Sequence, residues 1–493
     1  MNKMKLCDLL VGTDVTVPDN IDLEKEVTVS EWGETINGDS LLILTKKSNG
    51  EVREKKYSAA PFAVICELDD GNGFDKERIL YTQNARRALS ICYFNLYKLK
   101  DSRMRLIAVT GTNGKTTVAS MLHYILRFSG ADVGYIGTGK VLVNETELNE
   151  KYYSMTTPDP KMLYKYLSDM QMLGCEYAIM EASSHAIALD KLAPLRFDVG
   201  IFTNLSGEHR DFHTDMHSYF EVKLSLFDSC ENGIFNLDCP YSRRAHELSK
   251  CKKCGVGIIN AGDVYATDIH NRGLLGSSFF YREEGLIFGV DLSLVGAFNV
   301  YNALMALRAA ILLGIKPCIA KRAINCLCEI PGRMEILSDG VSVIIDYAHT
   351  PFAVENVLKT LFSIKKKRQN LVLVIGCGGE REREKRREIG KIAQKYCDKI
   401  YLTEDNSRSE DTEEIIADIL LGISGTDGVT VIPTREDAIT SAILNSADGD
   451  LVAILGKGRE EYVIDRNGYR DFSDKRQALF ALRLRREKNE NNT

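Results

Sequence analysis

Short apolar runs alternate with segments of helical hydrophobic spacing through the middle of the chain. The runs occupy residues 106–110, 177–180, 199–203 and 234–237. None of them alternates strictly between apolar and polar positions, which is typical of parallel strands that helices cover on both faces. Residues 118–127 carry apolar side chains at helical spacing directly after a Gly-rich turn. We therefore predict a parallel α/β sheet and a helix that begins at this turn.

A second series of apolar runs begins after residue 331 and needs a sheet of its own. Its members are residues 341–345, 371–375, 399–402, 429–432 and 451–455. The first hundred residues differ from both series, and their short strand candidates at 41–44 and 63–65 predict a small mixed α/β domain. The charged, Asn-rich end at 483–493 has little to bury and is expected to fray. The predicted domains span residues 1–103, 104–330 and 331–493.

Composition narrows the classes of partner and location. Of the 493 residues, 44% are hydrophobic and 27% are charged, which is the balance of a globular protein. The formal net charge of -6 gives no overall attraction to nucleic acid or to anionic membranes. No segment has the roughly 18 uninterrupted apolar residues of a membrane span, and the amino terminus does not read as a signal peptide. We expect a cytoplasmic protein that binds neither nucleic acid nor membrane, with its 13 cysteines as reduced thiols.

The Gly-rich turn has the residues of a phosphate-binding loop. It consists of Gly111, Thr112, Asn113, Gly114, Lys115, Thr116 and Thr117. Phosphate oxygens are held by backbone N–H groups at a helix start, by a Lys charge and by magnesium on a hydroxyl. The full pattern has Gly six residues before the Lys, where this chain has Val109, so the loop is a shortened variant. A bare Gly-rich β-turn is the alternative, and the strand, the Lys and the double Thr in register favour phosphate binding.

Polar residues follow two of the predicted strands. Glu181 ends the run at 177–180, and His209 lies in the polar segment after the run at 199–203. Open α/β sheets bind ligands at strand carboxyl ends, so Glu181 is the expected metal carboxylate and His209 is a metal or substrate candidate. For an isolated histidine, a capping or surface position is the alternative.

Taken in order, these segments resemble the Mur ligases of peptidoglycan synthesis, most closely their MurE type. The matching segments are residues 111–117, 156–158, 181–185, 203–206, 219–223, 296–302, 331–335 and 346–351. The resemblance covers nearly the whole chain and implies an ATP-dependent amide ligase. It further implies an N-terminal domain that binds a UDP-linked substrate, a central P-loop ATPase domain with a parallel sheet, and a Rossmann-like C-terminal domain that binds an amino acid.

The chemistry that the resemblance implies is activation of a carboxylate by phosphorylation. The γ-phosphoryl group of ATP, held by Lys115, would move to the carboxylate of a nucleotide-linked peptide, and an amine would then displace phosphate from the acyl phosphate. By resemblance, Thr116 and Glu181 hold one Mg²⁺, while His209 and a carbamylated Lys223 help to hold a second. For Lys223, an ordinary salt-bridged helix lysine is the alternative.

The resemblance also implies contacts with the rest of the nucleotide. Arg333 would clamp the γ-phosphate across the domain boundary, and Asp346 would accept a hydrogen bond from the ribose. Asn299 and Asn302 would lie near the adenine. An arginine that arrives from another domain fits a phosphoryl-transfer clamp that forms only when the domains close.

For the peptide substrate, the resemblance places Ser30 near the uridine end. Thr156, Thr157 and Ser183 would lie along the nucleotide-peptide. Lys191 would do so as well, at a position where the family commonly has arginine. A lysine keeps the positive charge there but loses the bidentate fork.

Motifs at 376–381, 405–408 and 456–460 resemble the amino-acid pocket of MurE-type enzymes. The implied pocket residues are Arg381, Asp405, Asn406, Ser407, Arg408, Gly456 and Glu460. Members that use meso-diaminopimelate typically have Asp-Asn-Pro-Arg at the second motif, whose arginine can fork onto the distal carboxylate. Here Ser407 replaces the proline and Arg408 remains, while Arg459 replaces the usual histidine of the third motif. Diaminopimelate is favoured over lysine, and a different acceptor amino acid stays open.

The resemblance thus implies a monomeric ligase that uses ATP and Mg²⁺ to add an amino acid to UDP-N-acetylmuramoyl-L-alanyl-D-glutamate. Its partners would be this UDP-linked muramoyl dipeptide and a free amino acid. Addition of L-lysine or another amino acid is one alternative. A folylpolyglutamate-type ligase is a second, which the pocket motifs at 405–408 and 456–460 disfavour. A nucleotide-binding partner subunit without activity of its own is a third, which the retention of Lys115, Glu181 and Arg333 disfavours.

Overall fold

The computed structural model describes residues 3–31, 33–46, 59–67, 74–148, 155–207 and 215–490. The architecture is α/β, as the apolar runs predict, and three consecutive stretches of the chain each form their own main sheet. The first sheet ends at Tyr81, the second extends from Arg105 to Leu292, and the third extends from Glu335 to Leu455. Each sheet therefore lies inside one of the three predicted domains.

The N-terminal sheet is parallel except at one edge, where its first two strands are antiparallel. Its strands, in spatial order, are Met4–Lys5, Glu26–Ser30, Ser40–Ile43, Ala63–Cys66 and Ile79–Tyr81. The accompanying helices are Leu6–Leu9 and Ala85–Leu96. Phe94 of the second helix meets Tyr164 of the central stretch edge to face, with ring centroids 6.2 Å apart. The first and second stretches consequently share one buried core.

The central sheet carries the predicted parallel strands in its middle and antiparallel extensions at both edges. Its strands, in spatial order, are Leu286–Leu292, Ser277–Glu283, Val264–Asn271, Lys252–Gly257, Cys230–Asn236, Phe197–Phe202, Arg105–Thr110, Tyr177–Glu181, Val133–Gly137, Lys140–Val143 and Thr146–Glu147. The helices of this stretch are Lys115–Phe128, Pro160–Met172, Ser184–Ala188, Met216–Ser225, Pro240–Leu248, Ala297–Leu312 and Pro317–Cys326. The edge strands after residue 252 and those between residues 133 and 147 are additions that the apolar runs did not predict.

The middle strands lack alternation because both of their faces are buried. In Tyr177–Glu181, Ile179 belongs to the core on the side of helix Lys115–Phe128, whereas Ala178 and Met180 belong to the core on the opposite side. A parallel strand that is covered on both sides needs apolar residues at every position. Because the faces of the strand are apolar, its polar residue, Glu181, lies at the carboxyl end.

The C-terminal sheet is likewise parallel apart from one antiparallel edge strand. Its strands, in spatial order, are Glu335–Asp339, Val341–Asp346, Leu451–Leu455, Leu371–Ile375, Lys399–Leu402 and Val429–Val431. A separate hairpin pairs Tyr462–Asp465 with Gly468–Asp471. The helices are Pro351–Ile364, Glu384–Tyr396, Thr412–Leu420, Arg435–Leu444 and Asp474–Glu490.

The expected fraying from residue 483 is wrong for the described part of the terminus. Helix Asp474–Glu490 continues to Glu490, and Arg485 within it is buried. The guanidinium of Arg485 donates to the carbonyl oxygen of Ile443 at 3.2 Å and to the Asp448 carboxylate at 2.7 Å. One long-range anchor thus orders a segment whose composition alone has little to bury. Within the described stretches, no helix combines the length and the apolar content that a membrane crossing requires.

Candidate active site

The predicted phosphate loop joins strand Arg105–Thr110 to helix Lys115–Phe128. Gly111 has φ +139° and Gly114 has φ +86°, backbone conformations that residues with a Cβ rarely adopt. A Cβ added at Gly111 would lie 2.0 Å from Thr203 Oγ1, so this turn also has no room for a side chain. The two glycines are therefore required, and they aim the loop at the start of the helix, where an anion is stabilised.

Lys115 folds back over the loop. Its Nζ donates to the carbonyl oxygens of Gly111 at 3.0 Å and Thr112 at 2.8 Å. The neighbouring strand end braces the same loop, because Thr203 Oγ1 donates to the Asn113 carbonyl at 2.6 Å. The ammonium group is thus held beside the loop, at the position from which a lysine reaches phosphate oxygens.

Glu181 is fully buried at the end of its strand, as predicted, and its carboxylate lies among hydroxyl and amide donors. Thr116 Oγ1 donates to Oε2 at 2.9 Å, and Tyr135 OH donates to Oε1 at 2.7 Å. The backbone N–H of Thr138 donates to Oε1 at 3.2 Å. Burial raises the pKa of Tyr135 well above its ordinary value, and the Glu181 charge adds to that shift, so the phenol remains a donor.

Tyr135 and Thr138 are site residues that the sequence did not suggest. Tyr135 belongs to strand Val133–Gly137 and Thr138 directly follows it, and this strand pairs in parallel with Tyr177–Glu181. The two glycines in that strand weaken its apolar pattern, and so the strand was not predicted. Its adjacency to Glu181 is a consequence of sheet order, which a single sequence does not display.

The Thr116 and Glu181 oxygens suit a magnesium ion in chemical type, since Mg²⁺ prefers hard oxygen ligands. Among the described residues, no group of three His, Cys, Asp or Glu side chains is arranged to hold a metal ion. The predicted ligand set differs in kind, because it combines a threonine hydroxyl, a modified lysine and His209. His209 lies outside the described residues.

Lys223 lies on helix Met216–Ser225 with 1% of its surface exposed. Its Nζ donates to Thr110 Oγ1 at 3.2 Å and to the Gly111 carbonyl at 3.1 Å. The ammonium also lies 4.9 Å from the centre of the Tyr219 ring. The structure therefore brings this lysine to the phosphate loop rather than to the protein surface, where a salt-bridged helix lysine would lie.

Arg333 reaches the phosphate loop from the C-terminal stretch. Its Nη2 donates to Thr116 Oγ1 at 2.9 Å, and its guanidinium lies 4.6 Å from the centre of the Tyr347 ring. The turn that carries it is held by Asp346, whose Oδ2 accepts from the Met334 N–H at 2.7 Å. Burial raises the pKa of Asp346, against the lowering effect of the Arg333 charge.

Asp346, for which the resemblance implies a contact with the ribose, thus also organises the arginine turn. Its second oxygen, Oδ1, accepts from the Ala348 N–H at 2.8 Å. A carboxylate oxygen has two lone pairs, so each oxygen keeps capacity for a further donor. Of the two predicted adenine residues, Asn302 donates to Asn299 Oδ1 at 2.9 Å, and Asn299 in turn donates to the Val295 carbonyl at 2.8 Å.

The predicted peptide-binding residues form a hydrogen-bonded group beside Glu181. Thr157 Oγ1 donates to the Glu181 carbonyl at 2.7 Å and lies 3.2 Å from Ser183 Oγ. Thr156 Oγ1 lies 3.2 Å from Thr138 Oγ1. Lys191 is largely buried, and its Nζ contacts Asp159 Oδ1 at 2.7 Å, so its charge is already neutralised by an acidic neighbour.

The predicted amino-acid pocket is organised by Lys457, whose side chain is fully buried. Its Nζ donates to Asn406 Oδ1 at 3.0 Å and to Glu460 Oε2 at 3.1 Å. Burial raises the pKa of Asp405, but the charges of Lys457 and Arg435 outweigh it and bring the pKa below the ordinary value. Lys457 was not predicted as a pocket residue. It lies within the motif at 456–460, and this motif could have indicated it.

Arg408 and Ser407 contribute to this pocket in different ways. Arg408 has φ +53°, and its Nη1 donates to the carbonyl oxygens of Gly379 at 2.8 Å and Asn406 at 3.2 Å. A guanidinium has five N–H donors, so donors beyond Nη1 remain for a ligand. Ser407 is buried, and a Cβ added at Gly379 would lie 1.9 Å from its carbonyl oxygen. Ser407 therefore packs through its backbone against Gly379.

One cavity of about 1160 Å³ between the central and C-terminal sheets brings these groups together. The predicted residues that border it are Gly111, Thr112, Asn113, Gly114, Lys115, Thr116, Thr117, Thr156, Thr157, Glu181, Ser183, Lys191, Lys223, Asn302, Arg333, Asp346, Arg381, Asp405, Asn406, Arg408, Gly456 and Glu460. Ser30, Asn299 and Ser407 are buried without bordering it. The site is thus that of a multidomain α/β protein in which the predicted phosphate loop and the predicted amino-acid pocket line one cavity.

Comparison with known proteins agrees with this architecture. The Mur ligase middle domain matches residues 109–310, and the Mur ligase glutamate ligase domain matches residues 332–458. Together these matches cover more than half of the chain. The chain belongs to the Mur ligase family.

Two relatives carry the name UDP-N-acetylmuramoyl-L-alanyl-D-glutamate--2,6-diaminopimelate ligase. The protein of Aquifex aeolicus is 38% identical over an alignment of 420 positions that covers 83% of each chain. The protein of Syntrophomonas wolfei is 34% identical over an alignment of 496 positions that covers 97% of this chain and 99% of that protein. A solved structure of a ligase with the same name has a TM-score of 0.67 and 26% identity, and the match covers 99% of this chain and 100% of that one.

Proposed function

We propose that this chain is the ATP-dependent ligase that adds meso-diaminopimelate to UDP-N-acetylmuramoyl-L-alanyl-D-glutamate in the synthesis of peptidoglycan precursors. The observation that carries the proposal is the shared cavity, which has Lys115 and Thr116 at one wall and Arg408 and Glu460 at another. The relatives that match most of the chain bear the name of this ligase. A phosphate site and an amino-acid site on one cavity suit a reaction that activates an acid and then joins it to an amine.

In the first step, a carboxylate oxygen of the dipeptide attacks the γ-phosphorus of ATP, and the bond from that phosphorus to the ADP oxygen breaks. Lys115 folds over the loop, and Arg333 reaches Thr116 from the C-terminal stretch. Both would neutralise the charge that develops on the phosphoryl oxygens. In the second step, the amine nitrogen attacks the acyl carbon and loses a proton, and the C–O bond to phosphate breaks. Arg333 also joins the C-terminal stretch to the phosphate loop through its hydrogen bond to Thr116.

Thr116 and Glu181 would hold one Mg²⁺, and His209 with a carbamylated Lys223 would help to hold a second. Mg²⁺ supplies charge neutralisation at the phosphates when it is bound. Tyr135 and Thr138 orient Glu181 by donating to Oε1, so the carboxylate presents a fixed edge. The buried position of Lys223 beside Gly111 supports its role at the phosphates.

Recognition of the amino acid divides between two ends of its pocket. Arg408 would bind the distal carboxylate of diaminopimelate, and Arg381 with Glu460 would hold the remaining carboxylate and amino group. Lysine lacks the distal carboxylate and would leave the arginine charge unpaired, which costs affinity. Asp405, Asn406, Ser407 and Gly456 would shape this pocket.

The domain assignment follows from this distribution of roles. Residues 1–103, with Ser30, would bind the UDP end. Residues 104–330 would bind ATP, and they would also bind the peptide through Thr156, Thr157, Ser183 and Lys191. Residues 331–493 would bind the amino acid. Asn299, Asn302 and Asp346 would lie around the nucleoside. The proposal places the reaction in the cytoplasm, with the protein acting as a monomer.

The function is tested with the purified protein, ATP, Mg²⁺, the UDP-linked dipeptide and single amino acids. Phosphate release and the mass of the product are followed, and Lys115→Ala serves as the inactive control. We expect release only when both the dipeptide and diaminopimelate are present. If no amino acid yields a UDP-linked tripeptide, the proposed function fails.

The acyl phosphate is tested with a dipeptide that carries a heavy oxygen isotope in its carboxylates. The oxygen that attacks the γ-phosphorus leaves with phosphate when the amine displaces it. We therefore expect one heavy oxygen atom in each phosphate released. Unlabelled phosphate together with tripeptide formation would show a different route of activation.

Carbamylation of Lys223 is tested by substitution and chemical rescue. Lys223→Ala should lose activity, and an added small carboxylate should restore part of it by supplying the missing anion. Lys252→Ala is a matched control, since Lys252 is an exposed lysine paired with Glu231. Full activity of Lys223→Ala without any added carboxylate would remove the carbamate from the mechanism.

A further inference from the structure

The loop that carries Glu460 touches the central sheet through the residue before it. Arg459 Nη2 donates to the carbonyl oxygen of Thr138 at 2.8 Å, although the two residues are separated by 321 positions in the chain. Both residues are partly buried. Hydrogen bonds from an ionised donor are roughly twice as strong as neutral ones, and partial burial protects this one from water.

Thr138 is bound on its other side to the carboxylate at the phosphate site. Its backbone N–H donates to Glu181 Oε1 at 3.2 Å, and its hydroxyl donates to Oε2 at 3.4 Å. The hydrogen bond that Arg459 donates to the Thr138 carbonyl therefore fixes the residue whose backbone N–H orients Glu181. Arg459 also lies beside Tyr135, the other side-chain donor to Glu181 Oε1, so it acts on this carboxylate through Thr138 and a neighbouring residue.

Arg333 makes a second contact between the C-terminal stretch and the central domain. It donates to Thr116, and Thr116 donates to Glu181 Oε2. The two arginine-bearing loops touch through their backbones, because a Cβ added at Gly332 would lie 2.2 Å from the Arg459 nitrogen. Thr138 and Thr116 therefore donate to the two oxygens of Glu181. Each of these threonines is in turn contacted by an arginine, Arg459 or Arg333, from the adjoining loops.

We propose that Arg459 is a positioning residue, which latches the amino-acid loop onto Thr138 and thereby fixes Glu181 for magnesium when the two sheets close. The assignment of magnesium to Glu181 rests on the proposed function. A planar guanidinium can donate to the carbonyl while its other N–H groups make further contacts, which a lysine ammonium does with less geometric control. Because Glu460 adjoins Arg459, binding of an amino acid in the pocket and orientation of the metal carboxylate are mechanically linked.

The test measures magnesium dependence rather than turnover. Binding of a non-hydrolysable ATP analogue is titrated by calorimetry at increasing Mg²⁺ concentration, for the unaltered protein, Arg459→Ala and Arg459→Lys. Arg466→Ala is the matched control, since Arg466 lies in the same stretch in an exposed pair with Asp411. Small-angle X-ray scattering on the same samples reports whether the sheets stay closed.

We expect Arg459→Ala to need about tenfold more Mg²⁺ for half-saturation, the size typical of losing a residue that supports a metal ligand. Binding without Mg²⁺ should be unchanged, Arg459→Lys should recover part of the loss, and the scattering radius of Arg459→Ala with the analogue should exceed that of Arg466→Ala. If Arg459→Ala titrates and scatters like Arg466→Ala, the latch does not exist. Failure of the proposed function looks different, because the unaltered protein would then form no tripeptide while the magnesium difference persists.

Discussion

Arg333 Nη2 and Thr116 Oγ1 lie 2.9 Å apart, although Thr116 is the second residue of helix Lys115–Phe128 and Arg333 belongs to the turn that precedes the third sheet. The contact spans the cavity in which the nucleotide phosphates are expected. An arginine at this place can contact phosphate only while the two sheets face each other closely. The proposed phosphoryl transfer requires such a contact between the two domains.

Removal of the Arg333 guanidinium should slow the chemical step more than it weakens binding of the dipeptide. For Arg333→Ala we expect kcat to fall about 10³-fold, the lower end of what arginine clamps contribute to phosphoryl transfer. Arg333→Lys should lie between the two, because lysine keeps the charge without the fork. Steady-state kinetics with ATP and the dipeptide measure this change.

Arg368→Ala is the control for the arginine series, because Arg368 is exposed and does not border the cavity. Its kcat should equal that of the unaltered protein. A kcat for Arg333→Ala within a few-fold of this control would mean that Arg333 does not act on the transferred phosphoryl group.

Tyr135 should support magnesium binding through its 2.7 Å hydrogen bond to Glu181. Tyr135→Phe keeps the ring and removes the donor, so we expect the Mg²⁺ concentration for half-maximal activity to rise about tenfold. Tyr124→Phe is the matched control, since the Tyr124 hydroxyl makes a long contact of 3.5 Å with the Cys326 carbonyl. Equal magnesium requirements in the two variants would show that the phenol does not position the carboxylate.

The buried pair of Arg435 and Asp474 should dominate the stability of the C-terminal sheet. Both side chains are fully buried, and the guanidinium meets the carboxylate with two hydrogen bonds, of 2.7 and 2.8 Å. Asp474→Ala leaves a buried positive charge without its partner, and so the free energy of unfolding should fall by about 3–5 kcal/mol. Urea denaturation measures this loss.

Arg476→Ala provides the comparison, because Arg476 pairs with Asp471 on the surface. Its free energy of unfolding should change by less than about 1 kcal/mol. Similar losses in Asp474→Ala and Arg476→Ala would show that burial of the Arg435 pair has no energetic consequence.

His123 should make the fold sensitive to acid. Burial lowers the pKa of His123 from its ordinary value near 6.5 to about 4, and among the described residues its Nε2 has no hydrogen-bond partner. As pH falls below 6.5, the unfolded chain takes up a proton at this site and the folded chain does not, so stability falls until the pH reaches the folded pKa. Between pH 7 and pH 5 this histidine should remove about 2 kcal/mol from the free energy of unfolding.

His123→Phe keeps a ring against Tyr135, with which His123 packs edge to face at 6.0 Å. The variant lacks the titrating nitrogen, so its free energy of unfolding should decline less between the two pH values. Denaturation curves for both proteins at pH 7 and pH 5 make the comparison. Parallel declines would show that His123 does not titrate differently in the folded and unfolded states.

The sequence predicted those strands, and the one loop, that a pattern of neighbouring residues defines. Strands Leu371–Ile375, Lys399–Leu402 and Leu451–Leu455 lie at the predicted residues, because both of their faces are buried and every position is apolar or packed. The phosphate loop was predictable for a similar reason, since Gly111 and Gly114 have positive φ angles that their residue type makes possible.

Features that depend on distant contacts were not predictable in this way. Strand Ser277–Glu283 has one exposed face, so its apolar content is too low to stand out as a core strand. The pairing of Arg459 with Thr138 joins residues 321 positions apart. The order of the terminal helix depends on Arg485, whose partners lie about forty residues earlier. Such contacts arise from the packing of the sheets, which a single sequence does not encode in any local pattern.

The most direct test of the proposed ligase is the mass of the UDP-linked product formed from equal concentrations of meso-diaminopimelate and L-lysine. The protein is supplied with ATP, Mg²⁺ and the UDP-linked dipeptide, and the products are separated and weighed by mass spectrometry. The diaminopimelate adduct should predominate, and Arg408→Ala should lose that preference. A predominant lysine adduct would contradict the role of Arg408, and the absence of both adducts would contradict the ligase itself.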